Sequence, residues 1–186
     1  MFVLGIDPGL SRCGYGVVEQ GRTQPEAVAL GGIKTPAHAP TAERLASIHQ
    51  DLEELISEYR PDVVAIERVF FQVNAKTAMG VAQASGLAMT LGFRSGAEVV
   101  EYTPNQVKEA VAGWGSADKG QMQRMVQSLL SLPELPSPPD AADAAAVALC
   151  HLAHSSSRKF IQASEAKRLA RPEAFLSTKT PRGKLS

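Results

Sequence analysis

The chain opens on Phe2-Val3-Leu4-Gly5-Ile6-Asp7-Pro8-Gly9, an apolar strand that runs straight into a lone carboxylate and then a Pro-Gly turn. A carboxylate at the end of a buried strand is costly to desolvate unless a metal, a cation or several hydrogen-bond donors compensate it. Asp7 therefore stands where a chain places chemistry, and whatever the fold is, that strand belongs to its core.

A strand, an Asp and a glycine turn also open the nucleotide-binding domains of actin-like ATPases and sugar kinases. The 186 residues suit one domain with a real core, but they leave no room for the two-domain body of such a kinase. No apolar run reaches the eighteen or more residues of a membrane span, and Met1-Phe2-Val3-Leu4 lacks the basic start of a signal peptide. The expectation is a cytoplasmic protein with no membrane association.

Cys13 and Cys150 are the two cysteines, far apart and without metal-type spacing, so they read as small buried apolar residues rather than a disulfide or zinc site. The formal charge is zero but unevenly spread. Residues 158–186 carry 8 basic and 2 acidic side chains, and residues 1–157 carry 11 and 17. An acidic body argues against nucleic acid, because neutralising phosphates supplies most of that affinity. Acids that ligate divalent ions would reverse the local field.

Along the chain, residues 2–7, 13–19 and 27–34 read as three strands of an antiparallel meander. Leu45, Ile48, Leu52, Leu55 and Ile56 recur at helical spacing and predict an amphipathic helix over 41–59, with Thr41 or Ser47 as possible caps. Pro61-Asp62 ends it, and Val63-Val64-Ala65-Ile66 is a short buried strand that delivers a second carboxylate, Glu67. A helix over about 74–94 is rich in Ala, Gly and Ser, so a second helix or its own sheet can approach it closely. Residues 99–102 predict a fifth strand, and Thr103-Pro104 opens a helix to about Ala112. Ser116 is expected to cap a helix through about Leu132. A Pro-rich connection then leads to a last helix over 140–154, with Asp140 as its cap. The pattern predicts one mixed-sheet α/β domain over 1–154, followed by a basic, flexible tail over 155–186.

The last helix begins Asp140-Ala141-Ala142-Asp143, and a spacing of three puts both carboxylates on one face of its first turn. Acids there also complement the helix dipole, which is the bland reading of the pair. Asp143 fits it less well, because it lies inside an Ala-rich helix. Asp7, Glu67, Asp140 and Asp143 thus all sit at ends of regular elements. Should those ends converge, repulsion is tolerable only with bound cations, and oxygen ligands suit Mg²⁺ or Mn²⁺. Paired divalent ions on carboxylates are the apparatus of in-line phosphodiester hydrolysis.

On these residues the chain resembles the RuvC family of Holliday junction resolvases, within the ribonuclease H-like superfamily. The matching stretches are Gly5-Ile6-Asp7-Pro8-Gly9 with Gly14-Tyr15-Gly16-Val17, Ala65-Ile66-Glu67-Arg68-Val69-Phe70, residues 74–83, Gln106-Val107-Lys108, Gly115-Ser116-Ala117-Asp118-Lys119 and Asp140-Ala141-Ala142-Asp143-Ala144. They run in family order through roughly residues 1–152. Each alone is weak, and the ordered set is highly specific.

The resemblance implies a ribonuclease H-like α/β fold, a five-stranded mixed sheet flanked by helices on both faces. It implies a homodimer that nicks two strands of a four-way DNA junction symmetrically during recombination and repair, using Mg²⁺, two ions per subunit, with Mn²⁺ able to substitute. Asp7, Glu67, Asp140 and Asp143 match the family's metal-binding acids, with Asp at 140 where some members have His. Lys108 and Lys119 match basic positions near the scissile strand. Phe70 matches an aromatic that stacks on a base, with Phe71 its core-facing neighbour or the two exchanging roles. Arg68, Asn74, Lys76 and Arg124 are further expected DNA contacts. The helix from Asn74 matches a dimer interface, and the RuvA and RuvB branch-migration proteins are the expected partners. Trp114, between two glycines, suits DNA contact and local packing equally, and His151 and His154 read as ordinary helix residues. Two rivals remain, a non-catalytic junction-binding module and another ribonuclease H-like nuclease with a different substrate.

Overall fold

The computed structural model describes residues 1–68 and 75–169. The expected Phe70, Phe71 and Asn74 contacts lie outside the described residues. The chain divides into two units, Met1–His154 and Ser155–Ser186.

The first unit contains a five-stranded sheet in the order β3-β2-β1-β4-β5. Its strands are β1 (Phe2–Asp7), β2 (Arg12–Gln20), β3 (Pro25–Lys34), β4 (Val63–Glu67) and β5 (Glu98–Tyr102). The first three form the expected antiparallel meander, and β4 and β5 join parallel to β1. The helices are α1 (Thr41–Tyr59), α2 (Ala75–Ser95), α3 (Pro104–Ala112), α4 (Lys119–Leu129) and α5 (Pro139–Leu169).

Side-chain alternation along the strands sorts the core into two layers. Leu4, Ile6, Val64 and Ile66 face Ile48, Leu52 and Ile56 of α1 and Ala84, Ala88 and Leu91 of α2. Val3, Val63 and Ala65 face the other way, against Val107 and Val111 of α3, Val126 of α4 and a run of alanines in α5. Helices therefore cover both faces, as expected. Of the small residues of α2, Ala84 and Ala88 pack into the core and Gly92 lies against Val64 and Val99, whereas a Cβ on Gly86 would meet nothing within 4 Å. Met79 and Phe93 of the same helix stay exposed, at 63% and 78%.

Several helix starts differ from the expected ones. Pro40 precedes α1 with no side-chain cap bond, so neither Thr41 nor Ser47 caps it. Asp118, not Ser116, caps α4, because it has Gln121 three residues later and the two form a reciprocal capping box. α4 also ends at Leu129, short of Leu132. Asp140 is not the cap of α5. Proline's fixed φ suits the first helical position, so Pro139 starts the helix and the Ala141 amide bonds the Pro138 carbonyl, leaving Asp140 inside the first turn. α5 also continues past His154 to Leu169.

Cys13 and Cys150 are both free and buried, and burial pushes both thiols up to about 12. His151 and His154 do more than ordinary helix residues. The Tyr102 hydroxyl hydrogen-bonds His151 Nδ1 at 3.0 Å, and the His154 ring stacks on Tyr102 with centroids 5.4 Å apart.

Candidate active site

Strand parity brings the first two acids together. Asp7 follows Val3 and Gly5, and Glu67 follows Val63 and Ala65, so both project to the face that carries α5. β1 and β4 are parallel neighbours in a register that pairs Gly5 with Ala65 and Ile6 with Ile66. Asp7 and Glu67 are the next residues on each strand, at the carboxyl ends where ligands bind in open α/β sheets.

The other two acids depend on how low α5 sits. A Cβ on Gly5 would strike the Ala144 carbonyl oxygen and approach the Ala148 amide nitrogen to 2.8 Å. One on Gly16 would come within 2.8 Å of the Ala145 backbone, and one on Gly14 would strike the Asp140 carbonyl. Gly5 pairs with Gly16 and Asp7 with Gly14, so the glycines form a smooth floor across β1 and β2. The alanine face of α5 presses into that floor and sets Asp140 and Asp143 beside Asp7.

As a result, one carboxylate oxygen from each of Asp7, Asp140 and Asp143 lies within 4.8 Å of the others. Glu67 stands outside that triad and lines, with Asp7, Asp143, Lys108 and Lys119, a cavity of about 240 Å³. Burial pushes the Asp7 carboxyl up to about 8, the charges of Glu67, Asp143 and Asp140 push the same way, and Lys119 opposes them. Burial likewise lifts Glu67 to about 6, with Asp143 adding to the rise and Lys108 and Lys119 countering it. Lys119 Nζ donates to Asp143 Oδ2 at 2.7 Å, and that bond raises the ammonium above its ordinary value.

The donor set fits a hard divalent cation. Three carboxylates converge within ligating distance of one another, and Glu67 lines the adjoining cavity. Asp140 Oδ2 is buried with no hydrogen-bond partner, and the nearest cation among the described residues, the Arg12 guanidinium, is 3.8 Å away, beyond hydrogen-bonding reach. A buried carboxylate oxygen without a partner is what an oxygen-ligated ion would satisfy.

The other expected contacts scatter. Arg68 lies 4.0 Å from Glu101 on the surface, outside the acid cavity, and Arg124 is exposed on α4. Lys76 falls in the first turn of α2. Trp114 is half exposed beyond the end of α3. Two features escaped sequence reasoning, the glycine floor and Arg12. The floor's signal was present as glycines at 5 and 16 facing alanines at 144, 145 and 148, small residues on both sides of one contact, with Gly14 under the Asp140 backbone. Arg12 gave no signal, because only the fold carries the start of β2 to Asp140.

A family model described as crossover junction endodeoxyribonuclease RuvC matches residues 3–151. A protein of that name from Heliobacterium modesticaldum is 50% identical over 130 residues, which is 70% of this chain and 80% of that protein. One from Streptomyces avermitilis is 50% identical over 131 residues, 70% of this chain and 74% of that protein. Among solved structures, Thermus thermophilus RuvC in complex with Holliday junction substrate superposes with a TM-score of 0.78 at 38% identity, covering 83% of this chain and 94% of that one. The yeast mitochondrial Holliday junction resolvase Ydc2 shares the fold alone, with a TM-score of 0.66 at 14% identity.

Proposed function

The chain belongs to the RuvC family of crossover junction endodeoxyribonucleases, and we propose that it resolves four-way DNA junctions by paired, symmetric, divalent-metal-dependent nicks at Asp7, Glu67, Asp140 and Asp143. The observation that carries this reading is the convergence of three aspartates within 4.8 Å, with one buried Asp140 oxygen lacking a hydrogen-bond partner. The proposed ion is Mg²⁺, two per subunit, with Mn²⁺ able to substitute.

Asp7, Asp140, Asp143 and Glu67 would hold the ions, which when bound polarise the scissile phosphate and make water acidic enough to attack it near neutral pH. The residues do the rest. Glu67 lines the cavity beside Asp7 and Asp143, where its carboxylate would complete the ligand set. Lys108 and Lys119 line the same cavity and place positive charge where the transferring phosphoryl gathers negative charge. Lys119 also holds Asp143 in place through its 2.7 Å bond. Lys119→Ala is therefore expected to slow single-turnover cutting by about 10²-fold, with junction affinity much less affected. Parallel rate and anisotropy measurements check it.

A two-fold homodimer would present two equal sites to a nearly two-fold junction, which accounts for paired incision. Contacts from Phe70, Phe71, Arg68, Asn74, Lys76 and Arg124, a place in recombination and repair, partnership with RuvA and RuvB and a cytoplasmic setting complete the proposal. Among the described residues, no helix is long and apolar enough to cross a membrane.

The test is incubation with a mobile four-way junction and a matched linear duplex, with Mg²⁺ or EDTA. Paired nicks in the junction alone, lost in EDTA, support the reading. Junction binding without cutting in any divalent ion points to a purely architectural module, and cutting of linear duplex points to another nuclease.

A further inference from the structure

Beside the acid cavity lies a second, larger groove of about 770 Å³, lined by residues that include Ser11, Arg12, Thr41, Arg44, Met79 and Gln83. It runs from the turn after β1 across the start of α1 to the first half of α2. No carboxylate lies among its described lining residues, in contrast to the acidic cavity next to it.

Two guanidiniums define its polar side. Arg12 joins the groove to the acid cluster, with Nη1 3.8 Å from Asp140 Oδ2 and a side chain 60% exposed. Arg44 is fixed by neutral partners. Its Nε donates to Thr35 Oγ1 at 2.9 Å and its Nη2 to Ser11 Oγ at 2.6 Å, and the Thr35 hydroxyl donates on to the Leu10 carbonyl at 2.6 Å. Among the described residues Arg44 has no ion-pair partner, so its charge is oriented yet uncompensated. It also sits in the first turn of α1, where the helix dipole disfavours a cation, so its position brings that helix no electrostatic gain. A guanidinium held still by neutral partners, with Nη1 in neither of those bonds, can turn its remaining donors and its charge to a phosphodiester oxygen.

We propose that Arg12 and Arg44 form a ledge that grips the sugar-phosphate backbone of one DNA strand as it leaves the acid cluster. The inference rests on the nuclease reading above and adds to it the path of the strand. Phosphate contacts of this kind set register and orientation without reading sequence. The ledge would fix which phosphate reaches Asp7 and Asp140.

The test uses the full chain, Ca²⁺ in place of Mg²⁺ to hold back cutting, and anisotropy of a labelled four-way junction across a salt series. Arg12→Gln and Arg44→Gln should each weaken binding by about three- to thirtyfold and make the slope of log K against log salt shallower by about 0.9, with the double variant showing about twice that change. Arg22→Gln, in the β2–β3 turn at the opposite end of the sheet, should leave the slope unchanged. Arg44→Lys keeps the charge and should keep the slope, which separates phosphate contact from support of the Thr35 turn. Thermal midpoints confirm folding, and if Arg44→Gln fails to fold, Arg12→Gln carries the test alone. Wild-type slopes in the folded Gln variants would overturn the ledge while leaving wild-type cutting, and the nuclease reading, intact. A wild type that binds but never cuts, with shallower slopes in the variants, would do the reverse.

Discussion

Asp7→Asn is expected to reduce junction cutting by about 10³-fold or more, because it removes a carboxylate from the centre of the cation site, where stabilisation of several kcal/mol is at stake. Junction binding should survive, since the change lowers negative charge facing the phosphates. The same variant has a second signature that does not depend on activity. Burial and neighbouring acids push Asp7 from 3.8 up to about 8, and Glu67 from 4.5 up to about 6. Between its unfolded and folded values such an acid binds more protons in the folded state, so stability falls as pH rises. In chelator, the thermal midpoint of the wild type should therefore drop between about pH 4 and pH 8, with the Glu67 share complete by about pH 6. The expected loss is of order a few kcal/mol. Asn cannot ionise, so Asp7→Asn should flatten most of that profile and unfold later than the wild type at pH 8. Mg²⁺ should restore the wild type at pH 8 and do far less for the variant. Calorimetry in EDTA and in Mg²⁺ measures both, and a flat wild-type profile would remove the basis for treating these acids as a repelled cluster.

Gly14→Ala should cripple the enzyme without touching any charged group. The new Cβ meets the Asp140 carbonyl and its carbon at 2.7 Å, and these are backbone atoms that cannot swing aside. α5 must rise or tilt at its first turn, costing about 1–3 kcal/mol as other overpacked cores do. The catalytic cost is larger, because a displacement of about 1 Å in a reacting group can lower the rate by about 10². Cutting is expected to fall by about that factor with near-normal circular dichroism and only modestly weaker junction binding. Gly86→Ala is the matched control, since a Cβ there meets nothing within 4 Å. It should fold as the wild type does and gain slightly in helix propensity. Equal activity in Gly14→Ala and wild type would show that α5 is not positioned by the glycine floor.

Much of this architecture could be read from residue order alone. The five strands and the span of α1 follow from apolar periodicity, because alternation and helical spacing are local properties of the chain. So is the direction of Asp7 and Glu67, since each continues the parity of its own strand. The pair at 140 and 143 shares a helical face for the same reason. Helix starts were less legible. Asp118 outcompetes Ser116 as a cap through its reciprocal bond with Gln121, and Pro139 displaces Asp140 from the cap of α5. Those contests are settled by hydrogen bonds between several residues and not by any one residue's preference.

What only the tertiary structure decided is distance. Nothing local says that Asp140 comes within 4.8 Å of Asp7, more than a hundred residues away in the chain. That approach depends on Gly5 of β1 and Gly14 and Gly16 of β2 meeting Asp140, Ala144, Ala145 and Ala148 of α5, and excluded volume acts only once all three elements are in place. The tertiary fold likewise brought Lys119 to Asp143 and Arg12 to Asp140, while leaving Arg68 and Arg124 on the outer surface. The sequence by itself determined which side chains could do the chemistry and on which face of each element they stand, because those follow from backbone periodicity. The depth at which α5 packs, and with it the burial that lifts Asp7 to about 8 and leaves Asp140 Oδ2 without a hydrogen-bond partner, came only from the assembled fold, because desolvation and repulsion depend on separations through space.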